Sequence, residues 1–105
     1  MVEKNLWDAA CEKLAPAWAA WKQIRDQADV AWNESEVARQ EGDQDAQDEA
    51  SRLHGVYMGL SNSVHRLVEA ATLREKKKML EAGKVAGVLT KDQDAELATW
   101  DERYT

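Results

Sequence analysis

The side chains of this 105-residue chain that are equipped to bind metal, move protons or attack an electrophile are two histidines, a lone cysteine, a few serines and a dense group of carboxylates. His54 and His65 fall within about 20° of each other around one helix but about 16 Å apart along its axis, whereas a zinc ion holds its ligands about 2 Å away. One ion cannot take both, so they read as helix-surface or core-edge residues. Asp43 and Asp45 occupy the first and third positions of a calcium loop, but Gln47, Asp48 and His54 stand where its fifth ligand, its glycine and its bidentate glutamate belong. Ser61 and Ser63 lie near His65 without an oriented third group or the glycine pattern of a nucleophile elbow. Cys11 has no second cysteine to pair with and reads as a small buried hydrophobe. The expectation is therefore no enzyme, no metal and no cofactor.

Charge is the remaining resource. The chain carries 20 acidic and 14 basic residues for a formal net charge of −6, which argues against direct binding of nucleic acid and for a basic protein partner. Between residues 26 and 50 there are nine acids and one base, Arg39, whereas residues 51 to 84 carry seven bases against Glu69, Glu75 and Glu81. Of the acids, Glu34, Glu36, Glu41, Asp43, Asp45, Asp48 and Glu49 are the candidate partner-binding residues. Carried on two adjoining helices, they imitate a row of phosphates and suit a basic, nucleic-acid-binding groove, an encounter steered by charge and weakened by salt. The plainer alternative is a solvated loop that keeps the protein soluble. Lys76, Lys77 and Lys78 spread around nearly a full turn and read as a solvated helix end.

The elements that would position these groups are helices. Phenylalanine is absent, proline occurs only at Pro16, and the five glycines are confined to residues 42 to 87, a composition that favours helix over strand. Asn5 is a candidate cap for a first helix, which Pro16 must kink or split. Leu14, Ala17, Trp18, Trp21, Ile24, Ala28, Ala31 and Trp32 follow the three-and-four spacing of a core-facing stripe, with Arg25 placed to stack on an indole. Val30 and Val37 point away and read as incidental surface residues. Gly42 and Asp43 form the turn, and Ala46, Ala50, Leu53, Tyr57, Leu60, Val64, Leu67 and Ala71 predict a second seam. Gly55 and Gly59 would permit close helix approach, Gly83 is the natural terminator, and Thr90 with Gln93 has the pattern of a capping box opening a short last helix. Leu97, Trp100 and Tyr104 mark its inward face.

The predicted architecture is a single all-α domain over residues 1–105, a long antiparallel helical hairpin, its first helix kinked or broken near Pro16, plus a short C-terminal helix. Trp7, Trp18, Trp21 and Trp32 fall within an arc of about 60°. They predict either a core or the seam of a homodimer, because tryptophans at helical spacing bury large areas. Self-association through that seam, as a structural or adaptor module, is the alternative function. No apolar run reaches the length of a membrane span, the N-terminus has no apolar h-region, and a single cysteine suits a reducing compartment, so a cytoplasmic location is expected.

In overall character the chain, small, acidic, helical and free of motifs, with its acids gathered over residues 26 to 50, resembles phage-borne anti-CRISPR proteins. That resemblance implies stoichiometric inhibition of a bacterial Cas complex in the host cytoplasm by blocking a basic DNA-binding channel, with a type I, multi-subunit complex as the expected target. Other phage inhibitors that mimic DNA share the character.

Overall fold

The computed structural model describes residues 5–104, and among them every regular element is a helix: α1 (Leu6–Lys13), α2 (Ala15–Glu41), α3 (Gln44–Ala86), α4 (Lys91–Ala98) and α5 (Trp100–Tyr104). Pro16 splits the first helical stretch. α1 stops at Lys13 and α2 restarts with Pro16 in its first turn, where the missing proline N–H removes no intrahelical bond. Asn5 Oδ1 accepts the Trp7 N–H at 2.8 Å and caps α1. At the far end of α2, Gly42 adopts φ 75°, the Asp43 N–H reaches back to the Ala38 carbonyl at 3.0 Å, and Asp43 Oδ1 accepts the Ala46 N–H at 3.0 Å. One residue pair thus closes one helix and caps the next.

The chain divides into two compact units, one of residues 14–69 and one of residues 1–13 with 70–105. The first is an antiparallel hairpin of α2 with the opening half of α3. Its buried side chains are nearly all small: Ala28, Ala31, Ser35 and Ala38 on α2, and Ala50, Ser61 and Val68 on α3. The Ser35 and Ser51 hydroxyls share a hydrogen bond at 3.0 Å. The seam on α3 is therefore displaced from the expected one, for Ala46, Leu60 and Leu67 are exposed while Ser61 and Val68 are buried. Small residues at the contact let two helix backbones approach closely, and the larger apolar residues are then left on the shoulders. Gly55 and Gly59 take no part in this, since a methyl group added at either meets nothing within 4 Å.

The second unit is held differently. Its buried residues are Ala10, Thr72, Leu80 and Trp100, and ion pairs tie the end of α3 to its neighbours: Lys13 to Glu75 at 3.1 Å, Lys84 to Asp94 at 2.9 Å, Lys77 to Asp101 at 3.9 Å, and Lys76 to Glu96. Lys76 is mostly buried, so the lysine run is not simply the solvated helix end expected. α3 runs through Gly83 to Ala86, and Gly87, with φ 73°, ends it. Gly83 has another duty, because a Cβ there would lie 2.6 Å from Leu89 Cδ2. The capping box at α4 forms in both directions, Gln93 N–H to Thr90 Oγ1 at 3.2 Å and Thr90 N–H to Gln93 Oε1 at 3.0 Å. Thr99 divides the last helical stretch, its hydroxyl donating to the Ala95 carbonyl at 2.9 Å and accepting from Arg103 Nε at 2.8 Å. The Trp100 ring meets Tyr104, with centroids 4.3 Å apart.

Candidate functional site

The seven candidate acids converge on the closed end of the hairpin. Glu34, Glu36 and Glu41 lie on the last turns of α2, Asp43 in the turn, and Asp45, Asp48 and Glu49 on the first turns of α3. All are exposed except Glu36, which is half-buried. Two have a base beside them: Glu36 with Arg39 at 2.8 Å and Glu49 with Arg52 at 2.8 Å. The hydrogen bonds from Arg52 hold the Glu49 carboxyl below its ordinary range and raise the guanidinium above its own. Both groups are fully exposed, so the pair adds little to stability. Asp48 accepts from Gln44 Nε2 at 2.7 Å. Among the described residues, no base stands within ion-pair distance of Glu34, Glu41, Asp43, Asp45 or Asp48. The contrast with the second unit, where Glu75, Asp94, Glu96 and Asp101 each meet a lysine, is the electrostatic character of this tip.

The flanks of the hairpin differ. On one, aromatic rings cross the seam: Trp18 and Trp21 stand edge-on at 5.8 Å, and His65 packs against both at 5.4 and 5.2 Å. His65 Nδ1 is 3.5 Å from Glu69, the Arg25 guanidinium lies 5.7 Å from the Trp21 ring, and His54 packs on Trp32 at 5.3 Å. The histidines are thus aromatic packing partners. Trp21 Nε1 is buried without a hydrogen-bond partner among the described residues, and Trp32 is 51% exposed. The tryptophans therefore do not form the core as a continuous stripe. They sit on the shoulder of an alanine and serine seam, and Trp32 leaves half its surface to solvent.

The other flank carries two open grooves. One, about 630 Å³, is lined by Ala20, Gln23, Ile24, Gln27, Tyr57 and Leu60, with Asp26 at its edge. The second, about 400 Å³, is lined by Val30, Asn33, Val37, Ala38 and Ala46, together with Glu34 and Glu41. Val30 and Val37, expected to be incidental, are the apolar lining of a groove whose rim is acidic. Their seven-residue spacing beside Glu34 and Glu41 was the available signal.

Among the described residues, no three histidine, cysteine, aspartate or glutamate side chains gather closely enough to hold a metal ion, and no helix is long and apolar enough to cross a membrane. Comparison of the chain with family models, with curated proteins and with solved structures finds no match.

Proposed function

We propose that the protein is a non-enzymatic inhibitor that binds a nucleic-acid-handling bacterial protein complex through the acidic end of its hairpin, in the manner of an anti-CRISPR protein against a type I Cas complex. The observation that carries this reading is the run of carboxylates at the tip without bases to neutralise them, held on two helix ends by a turn that fixes their relative positions. Such a surface presents negative charge in a row and competes with a phosphate backbone for lysine and arginine. The valine groove beside it adds apolar area that a nucleic acid lacks, giving a protein competitor affinity that salt does not remove.

The test is inhibition of DNA loading by a purified type I Cas complex. The wild-type chain is expected to inhibit, and the variant E34K/E41K/D45K/D48K to inhibit at least tenfold less, with a flatter dependence on salt. Equal inhibition by both, or none by the wild type, overturns the proposal.

The half-exposed Trp32 favours a second reading, self-association of an adaptor through the aromatic flank. It predicts a concentration-dependent dimer that Trp32→Ser abolishes. A monomeric mass by light scattering at high concentration excludes it.

A further inference from the structure

We infer that the flank of the hairpin opposite the tryptophans is a docking groove for one amphipathic, basic-edged helix of a partner protein. The inference rests on residues other than the tip acids as a set and does not require that the partner handle nucleic acid.

Three observations converge. The two grooves lie along the same side of the seam. On α2, Gln27, Glu34 and Glu41 directly adjoin the buried Ala28, Ser35 and Ala38, and the grooves join them to Tyr57 and Leu60 at one end and to Ala46 at the other. Leu53 and Leu67 lie seven residues on either side of Leu60 and so share its helical face. Second, this side holds most of the unit's large exposed apolar side chains: Val30 at 47%, Val37 at 51%, Val56 at 47%, Leu60 at 48% and Leu67 at 70%. Single exposed apolar residues are ordinary on a protein surface, but Val30, Val37 and Leu60 also line the grooves, and apolar side chains gathered in this way mark an interaction site.

Third, the charge of the lining selects the occupant. Asp26, Glu34 and Glu41 line the grooves and no lysine or arginine does. Of the three bases of α2, Arg25 lies over Trp21 on the aromatic flank, Arg39 is turned to Glu36, and Lys22 lines neither groove. A second copy of this chain would bring another pair of acid-lined grooves to the same place. A helix with leucine-like residues at intervals of three and four and lysine or arginine along its edges matches both the apolar floor and the acidic rim. Seated between α2 and α3, it would complete a three-helix arrangement in which the exposed leucines and valines are covered.

The probe is a fluorescent 18-residue helical peptide with leucine at positions i, i+3, i+4 and i+7 and lysine on the remaining faces, added to the full chain. Saturable binding is expected, weakened at least tenfold by Leu60→Ser with Leu67→Ser and left unchanged by Trp32→Ser on the other flank. Glu34→Gln with Glu41→Gln should reduce the salt dependence while retaining binding. If the double serine variant loses helical content by circular dichroism, Leu67→Ala alone, at a mostly exposed position, serves the same comparison with a smaller loss. Equal binding of a scrambled peptide, equal loss on Trp32→Ser, or no loss on either leucine variant overturns the inference. So does a dimeric wild type that the leucine variants make monomeric, since the occupant is then a second copy. Failure of the peptide with success of the Cas assay would leave the acidic tip as the binding surface by itself.

Discussion

Replacing Leu80 by alanine is expected to lower the stability of the fold by roughly 2–5 kcal/mol. Leu80 and Thr72 are the largest side chains that are completely buried. In the unit built from α1, the end of α3, α4 and α5 the other buried groups are Ala10, Thr72 and Trp100, so few large apolar residues share the load. Removing three carbons from such a site forfeits their transfer free energy and leaves a cavity, and an exposed pair such as Lys77 with Asp101 contributes at most about 1 kcal/mol against that loss. For a domain of this size, each kcal/mol corresponds to roughly 4–8 °C in melting temperature. The measurement is a urea or thermal transition followed by circular dichroism, with Leu67→Ala as the exposed control. A loss at Leu80 no larger than that at Leu67 would show that the core of this unit lies elsewhere.

The second large effect has the opposite sign of volume. Ala28 is completely buried at the seam of the hairpin, and Ala28→Leu is expected to cost about 1–3 kcal/mol or more through overpacking. Leucine and alanine have nearly the same helix propensity, so the loss cannot come from α2 itself. It arises because the opposing residues are held at a distance set by alanine and serine, and three added carbons must push the backbones apart. Ala19→Leu, at an exposed position on the same helix, should change stability by less than about 0.5 kcal/mol. If both variants unfold at the same denaturant concentration, the helices do not meet through a small-residue seam.

How much of this was legible differs from residue to residue. The turn was, because Gly42 followed by Asp43 combines the two things a helix-to-helix connection needs, a residue that tolerates positive φ and a side-chain acceptor for the next helix. The capping box at Thr90 was legible for the same reason, a local hydrogen-bond pattern that needs no tertiary context. The end of α3 was not. Gly83 and Gly87 are equivalent as terminators in sequence, but it is Gly87 that takes the positive φ and closes the helix, with the Val88 N–H on the Gly83 carbonyl, while Gly83 makes room for Leu89.

The seam shows the main limit. Hydrophobic periodicity on α3 picks out Ala50, which is buried, but also Leu60 and Leu67, which are exposed, while Ser61 and Val68 take the buried places, because close approach rewards small size and a hydropathy pattern does not measure size. The signal existed on α2, where Ala28, Ala31, Ser35 and Ala38 continue the three-and-four spacing into the acidic stretch past Trp32. The positions of the tip acids were legible from helix and turn alone. The groove beside Glu34 and Glu41 was signalled only by the spacing of Val30 and Val37, and its partner residue Ala46 on α3 follows from the rotation of the seam.

The two-residue connection at Gly42 and Asp43 also grades the contacts of the hairpin by what each costs in chain entropy. Ser35 and Ser51 are only 16 positions apart in the chain, so the entropy of bringing them together is small, whereas Trp18 and His65 enclose a far longer loop. Each contact made near the turn shortens the loop that the next must close. On chain entropy alone the contacts nearest the acidic end are the cheapest to close, although like charges oppose them, and those of Trp18, Trp21 and His65 are the costliest, where the largest rings offset the cost. The stretch that opposes closure and the stretch that completes it lie at opposite ends of the same seam.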